Sequence, residues 1–121
     1  ILVVDDNRDA ADSLVMLLAA DGHHAQAVYG AQAALSAWKA LRPEVVVLDI
    51  GLPGMDGYEV ARRVRAEEAL RHTRLIALTG YGCDEDRERA YAAGFDAHLV
   101  KPADLDALAK LLAEAPPQLS A

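Results

Sequence analysis

The chain has 121 residues, a length suited to one domain without a second catalytic module. A composition of 53% AVILMFWYC with 26% charged residues supplies a core and argues against disorder. The longest apolar run, the seven residues from Leu14 to Ala20, is far too short for a bilayer span. Twelve Lys and Arg against nineteen Asp and Glu give a net charge of −7, which argues against nucleic acid and anionic membrane as partners of this chain.

Aromatics make up only 5%, so Val, Leu, Ile and Ala must build the core. A single cysteine, Cys83, excludes an internal disulfide and a Cys-based zinc cage, and it fits a reducing, cytoplasmic setting. Ile1 already reads as strand, so the chain is expected to be a piece of a longer protein.

In chain order, Ile1 to Val4 predicts a buried strand ending at Asp5. Leu14, Leu17 and Leu18 have helical spacing, with Gly22 as the stop. His24 to Tyr29 is a weaker strand, and Ala31 to Leu41 a helix closed by Pro43, with Trp38 in the core. Val45 to Leu48 is the strongest strand and ends at Asp49. Gly51 to Gly57 is dense in turn formers and predicts a loop, followed by a helix over Tyr58 to Glu68. Leu75 to Leu78 is a strand ending at Thr79. Asp84 caps a helix to Ala93, with Gly94 as its stop. That helix has few large apolar residues, and Arg87, Glu88 and Arg89 crowd one side, which predicts either loose packing that suits an element whose position can be biased or an ordinary solvated charged face. Ala97 to Val100 is the last strand, ending at Lys101 and Pro102. Leu105, Leu108, Ala109 and Leu112 mark a final helix that Pro116 and Pro117 close.

Five strand–helix units therefore fill the chain. Runs such as Val45 to Leu48 are apolar without alternation, as expected where helices cover both faces of a parallel sheet. Five units are too few for an eight-stranded barrel, so the fold class is α/β with an open, doubly wound, five-stranded parallel sheet.

Ligands bind such sheets just outside the carboxyl ends of the strands. Those ends deliver Asp5, Asp6, Asp49, Thr79 and Lys101. Two carboxylates about 4 Å apart repel by roughly 4 kcal/mol at an effective dielectric near 20. Lys101 compensates part of this, and a hard, oxygen-loving cation such as Mg²⁺ suits the rest. The competing reading is that Asp5 and Asp6 only cap the first helix. A metal ion, a lysine and a threonine hydroxyl are groups that stabilise a transferring phosphoryl group. No glycine-rich phosphate cradle is present, so a bound nucleotide is not the expected source. A carboxylate can accept the phosphoryl group itself, and Asp49 is the best placed, at the end of the central strand and the start of an accessible loop.

These residues resemble the receiver domain of two-component response regulators. The resemblance covers about residues 1 to 113 and rests on four stretches: Leu2 to Asn7, Leu48 to Gly57, Ala77 to Gly80 and His98 to Pro102. It implies a receiver domain over 1–114 with a tail at 115–121, and a flavodoxin-like (βα)5 sheet in the strand order 2-1-3-4-5. It implies that Asp49 takes a phosphoryl group from a phosphohistidine donor, a histidine kinase or a histidine phosphotransfer protein. Asp6, Asp49, Asp5 (directly or through water) and the Gly51 carbonyl would bind Mg²⁺. Lys101 would pair with the phosphoryl oxygens, and Thr79 would hydrogen-bond them and move. Pro102 would follow a cis peptide. The output would be a conformational change on the face of the fourth and fifth strands and the helices that follow them, a face that also fits a weak homodimer.

His98 departs from the family's usual Tyr or Phe three residues before the lysine. It reads either as a surface histidine, the reading preferred on sequence, or as a switch element that brings pH sensitivity. His23, His24 and His72 lack ligand spacing and read as structural or solvated. Gly51 and Tyr81 occupy positions that can shield an acyl phosphate from water. Three alternatives remain. A degenerate receiver would only bind protein. An Asp-nucleophile phosphatase would need an Asp-x-Asp that Asp49-Ile50-Gly51 lacks. A flavin-binding protein would need a phosphate loop where Asp5 to Arg8 stands. The setting fits the receiver of a hybrid sensor kinase, a single-domain regulator or a regulator cut before a DNA-binding domain.

Overall fold

The computed structural model of the chain describes residues 1–51, 57–67, 73–79, 84–100, 106–108 and 110. The expectations for Lys101, the Pro102 cis peptide, His72, Tyr81, Pro116, Pro117 and the tail at 115–121 lie outside the described residues, as does most of the predicted loop between Gly51 and Gly57.

The elements follow as β1 (Leu2–Val4), α1 (Arg8–Ala20), β2 (Gln26–Val28), α2 (Ala31–Leu41), β3 (Val45–Asp49), α3 (Gly57–Ala66), β4 (Arg74–Thr79), α4 (Asp84–Ala93) and β5 (Ala97–Val100). Residues 106–108 and 110 are helical, as far as the predicted last helix is described. The five strands form one parallel sheet in the order β2-β1-β3-β4-β5, the order expected.

Alternation along each central strand splits the core in two. Leu2, Val4, Val46, Leu48, Leu75 and Ala77 face a layer made by α2, α3 and α4. Val3, Val47, Ile76 and Leu78 face the other side, where Ala11, Leu14 and Leu18 of α1 pack together with Leu108. Both faces are covered, which is why β1 and β4 are buried along their whole length and why Leu2 to Val4 and Leu75 to Leu78 read as unbroken apolar runs. Edge strand β2 is shorter than the predicted His24–Tyr29 because it pairs only with the three residues of β1.

Two helix ends share one device. After α1, Gly22 N–H donates to Ala19 O (3.1 Å) and His23 N–H to Leu18 O (3.0 Å). After α4, Gly94 N–H donates to Tyr91 O (3.1 Å) and Phe95 N–H to Ala90 O (3.0 Å). Both glycines sit at positive φ, +91° and +113°, where a side chain would be strained, and each closes a Schellman cap at the predicted stop.

The packing adds detail to two of the helices. Leu17 is about half exposed, while Leu14 and Leu18 are buried, because the stripe that meets the sheet runs through Ala11, Leu14 and Leu18 and leaves Leu17 on its shoulder. Helix α4 is better anchored than its charge suggested. Glu88 and Arg89 are exposed, but Ala90 and Ala93 are buried, and the Arg89 guanidinium lies 4.6 Å from the centre of the Tyr58 ring. Small residues let this helix approach closely without large apolar side chains.

Trp38 is core, as expected, and fully buried. Its indole Nε1 donates to Thr73 Oγ1 (2.9 Å), and the Thr73 hydroxyl donates to the Pro43 carbonyl (3.0 Å). The indole's polar atom is thereby satisfied inside the core.

Arg65, at the end of α3, joins three elements. Nε donates to Gly94 O (2.9 Å), one terminal nitrogen to Thr73 O (2.6 Å) and the other to Asp96 Oδ2 (2.8 Å). Asp96 Oδ2 also accepts from Leu75 N–H at 2.9 Å. The guanidinium thus ties α3 to the end of α4 and the start of β4. Arg65→Met is expected to cost about 2 kcal/mol, since charge-assisted bonds are lost while the stem is kept. Urea unfolding checks this, and a loss below about 0.5 kcal/mol would show the clasp to be ornamental.

Candidate functional site

The register of the sheet places the strand ends side by side. Val4 pairs with Leu48, so Asp5 and Asp49 follow as neighbours one step further along β1 and β3. Asp49 in turn pairs with Leu78, and Thr79 with Val100. The acidic tips of two strands and the hydroxyl of a third therefore share one edge of the sheet.

Ligand oxygens of Asp5, Asp6 and Asp49 all lie within 4.8 Å of one another. Asp5 and Asp49 are buried and Asp6 is exposed. Among the described residues this is the one group of its kind; His23 lies 3.6 Å from Asp21, and His24 is exposed. The capping reading of Asp5 and Asp6 does not account for the cluster. Asn7 is the N-cap of α1, and its side chain accepts from Ala10 N–H at 3.1 Å. Asp5 Oδ1 instead accepts from Asn7 N–H (3.0 Å), which turns the chain after β1 and holds the carboxylate at the edge.

Asp49 is held in a similar way, with Oδ1 accepting from Gly51 N–H at 2.9 Å. A methyl group at position 51 would stand 3.5 Å from that oxygen, an ordinary contact.

The donor set fits a small hard cation. Mg²⁺ binds oxygens at 2.0–2.1 Å, so opposite ligands in its octahedron are about 4.2 Å apart. A carboxylate group spread over as much as 4.8 Å suits direct bonds from some members and a water-bridged bond from another.

Thr79 is buried at the end of β4, and its Oγ1 lies 3.0 Å from His98 Nε2. His98 is partly exposed on edge strand β5, and the same ring reaches the Thr79 hydroxyl. Sequence reasoning passed over Arg8 and Tyr29. The Arg8 guanidinium lies 4.4 Å from the Tyr29 ring centre, and the Tyr29 hydroxyl donates to Asp12 Oδ1 (2.6 Å), which raises its pKa above the ordinary phenol value. No local pattern signals this contact, because it joins α1 to the end of β2.

The family profile described as the response regulator receiver domain matches residues 1–113. The chain is similar to the virulence sensor protein BvgS of Bordetella pertussis, with 38% identity over 120 residues, covering 95% of this chain and 10% of that protein. It is similar to the DNA-binding response regulator MtrA of Mycobacterium tuberculosis, with 34% identity over 102 residues, covering 84% of this chain and 43% of that protein. Among solved structures, the chemotaxis response regulator CheY4 of Vibrio cholerae superposes with a TM-score of 0.85 at 27% identity, over 92% of each chain. The chain thus spans a tenth of one of these curated relatives and less than half of the other. A parallel sheet in this strand order, an acidic cluster at its carboxyl edge and a profile match over nearly every residue establish that the chain belongs to the response regulator receiver domains of two-component signalling.

Proposed function

We propose that this domain is a phosphoryl-accepting switch with Asp49 as the acceptor. The observation that carries this reading is the carboxylate group of Asp5, Asp6 and Asp49 at one edge of the sheet, with Thr79 at the neighbouring strand end. In the reaction, an Asp49 carboxylate oxygen attacks the phosphorus of a phosphohistidine. The new P–O bond forms as the P–N bond breaks, and the donor imidazole leaves with the electron pair and takes a proton. Asp5, Asp6, Asp49 and the Gly51 carbonyl would hold Mg²⁺, which would supply positive charge to offset the carboxylates and the phosphoryl oxygens. Lys101, which follows Val100 in the chain, pairs with a phosphoryl oxygen, and Thr79 donates a hydrogen bond to another.

The donor is a histidine kinase or a histidine phosphotransfer protein, and the domain works in the cytoplasm. No described helix is long and apolar enough to cross a membrane. Thr79 transmits the change to the face of β4, α4 and β5, where Tyr91 and Val100 leave apolar surface for a second copy or an output partner.

The test is intact-mass measurement after incubation with acetyl phosphate and Mg²⁺. One added phosphoryl group that maps to Asp49 after borohydride trapping is the expected result. No adduct, together with no binding of fluoroberyllate, would make the domain a degenerate receiver that only docks on other proteins.

A further inference from the structure

Thr79 and His98 meet as a hydroxyl and an imidazole, 3.0 Å from Oγ1 to Nε2. Ala77 pairs with His98 and Thr79 with Val100, so the two side chains stand on one face of the sheet, on a diagonal between β4 and β5. Ala77 packs in the same core layer as Ala90 and Ala93 of α4, so this face is the one α4 covers.

A threonine hydroxyl has one proton to donate. While that proton is given to a nitrogen, it is withheld from any other acceptor. An imidazole Nε2 without a proton can only accept; in the imidazolium ion the same atom can only donate. The geometry points to His98 as a positioning residue that decides where the Thr79 proton goes: neutral His98 holds it, and protonated His98 releases it to the phosphoryl group on Asp49. In the second state Thr79 Oγ1 accepts from Nε2–H and donates to a phosphoryl oxygen at once. This inference rests on Asp49 as the phosphoryl acceptor and adds a regulator of that site.

The sign follows. Protonation favours the phosphorylated arrangement, so acid pH strengthens it and alkaline pH opposes it. Linkage makes the effect reciprocal, so occupation of the Asp49 site raises the titration midpoint of His98. β5 packs against β4 and α4. The titratable groups on those two elements, among the described side chains, are Arg74 at the opposite end of β4 and the exposed Glu88, Arg89 and Tyr91 of α4. Of these chemical classes and imidazole, only imidazole ordinarily changes charge between pH 6 and pH 8.

Two measurements on the intact domain test this. Long-range proton–nitrogen NMR on the wild-type protein is expected to show His98 with Nε2 bare and Nδ1 protonated at pH 8; this arm needs no variant. Fluoroberyllate titration with saturating Mg²⁺ is then compared at pH 6 and pH 8. Wild type is expected to gain about fivefold more affinity on acidification than His98→Phe, the worth of about one net hydrogen bond.

The imidazolium charge would attract an anion even without the relay. Thr79→Ala separates the two, since it keeps the charge and removes the hydroxyl. In that background the pH-dependent difference between His98 and His98→Phe is expected to shrink to what the charge alone supplies. A proton on Nε2 at pH 8 overturns the inference. So do parallel pH profiles for wild type and His98→Phe, or a pH difference that survives Thr79→Ala undiminished. If wild type binds fluoroberyllate normally and these results appear, the Asp49 reading stands and only the role of His98 fails. If wild type binds none at either pH, both fail together.

Discussion

Asp49→Asn is expected to take up no phosphoryl group and yet to melt about 4 °C above the wild-type protein in metal-free buffer. The two effects have one cause. Asparagine has nearly the shape of aspartate and keeps a carbonyl oxygen to accept from Gly51 N–H, so the local turn survives. What it loses is a nucleophilic charge, and with it the repulsion from Asp5 and Asp6. Within 4.8 Å and at an effective dielectric near 20, each like-charged pair costs roughly 3.5 kcal/mol or more. Exposure of Asp6 to water reduces this, and a net gain of about 1 kcal/mol is the working figure. Millimolar Mg²⁺ should raise the wild-type midpoint and move the variant much less, because cation binding to the folded state alone is stabilising and one ligand is gone. Thermal melts in chelator and in Mg²⁺ check both signs. A variant that melts below wild type in chelator would show that the three carboxylates are not in conflict.

The second large effect concerns Trp38. Trp38→Ala is expected to cost about 4 kcal/mol, enough to threaten a domain whose total stability is on the order of 5–15 kcal/mol. The indole is fully buried between α2 and the sheet. Removing it leaves a cavity and takes away the donor that Thr73 Oγ1 accepts from. Trp38→Phe should cost less, about 2 kcal/mol, because the ring volume is partly kept while the hydrogen bond is lost. Trp38 is the chain's single tryptophan, so circular dichroism rather than intrinsic fluorescence must follow the urea transition. A cost for Trp38→Ala below about 1.5 kcal/mol would mean that the surrounding layer collapses into the gap.

The reading of His98 shows where sequence patterns stop. Its place in the chain, three residues before Lys101, was legible, and so was its departure from the usual aromatic residue. Its half-buried contact with Thr79 was not, because β4 and β5 come into register only through pairing of separate strands. Leu17 and Leu18 make the same point for packing. Both satisfy a helical spacing, but the sheet covers only the stripe through Leu14 and Leu18, and a stripe's centre is set by what it packs against. The alanines of α4 carried no apolar signal, yet small side chains were what let that helix close on the sheet.

The amino-acid sequence by itself determined the alternation of strands and helices and the residues that stand at the strand tips. These are local properties: an unbroken apolar run signals a strand covered on both faces, and glycine at a helix end signals its stop. Only the tertiary structure decided that Asp5 and Asp49 are neighbours, that Asn7 rather than an aspartate caps α1, and that an imidazole reaches the Thr79 hydroxyl. Those facts depend on strand register and on which helix covers which face, and both are settled by packing between segments far apart in the chain.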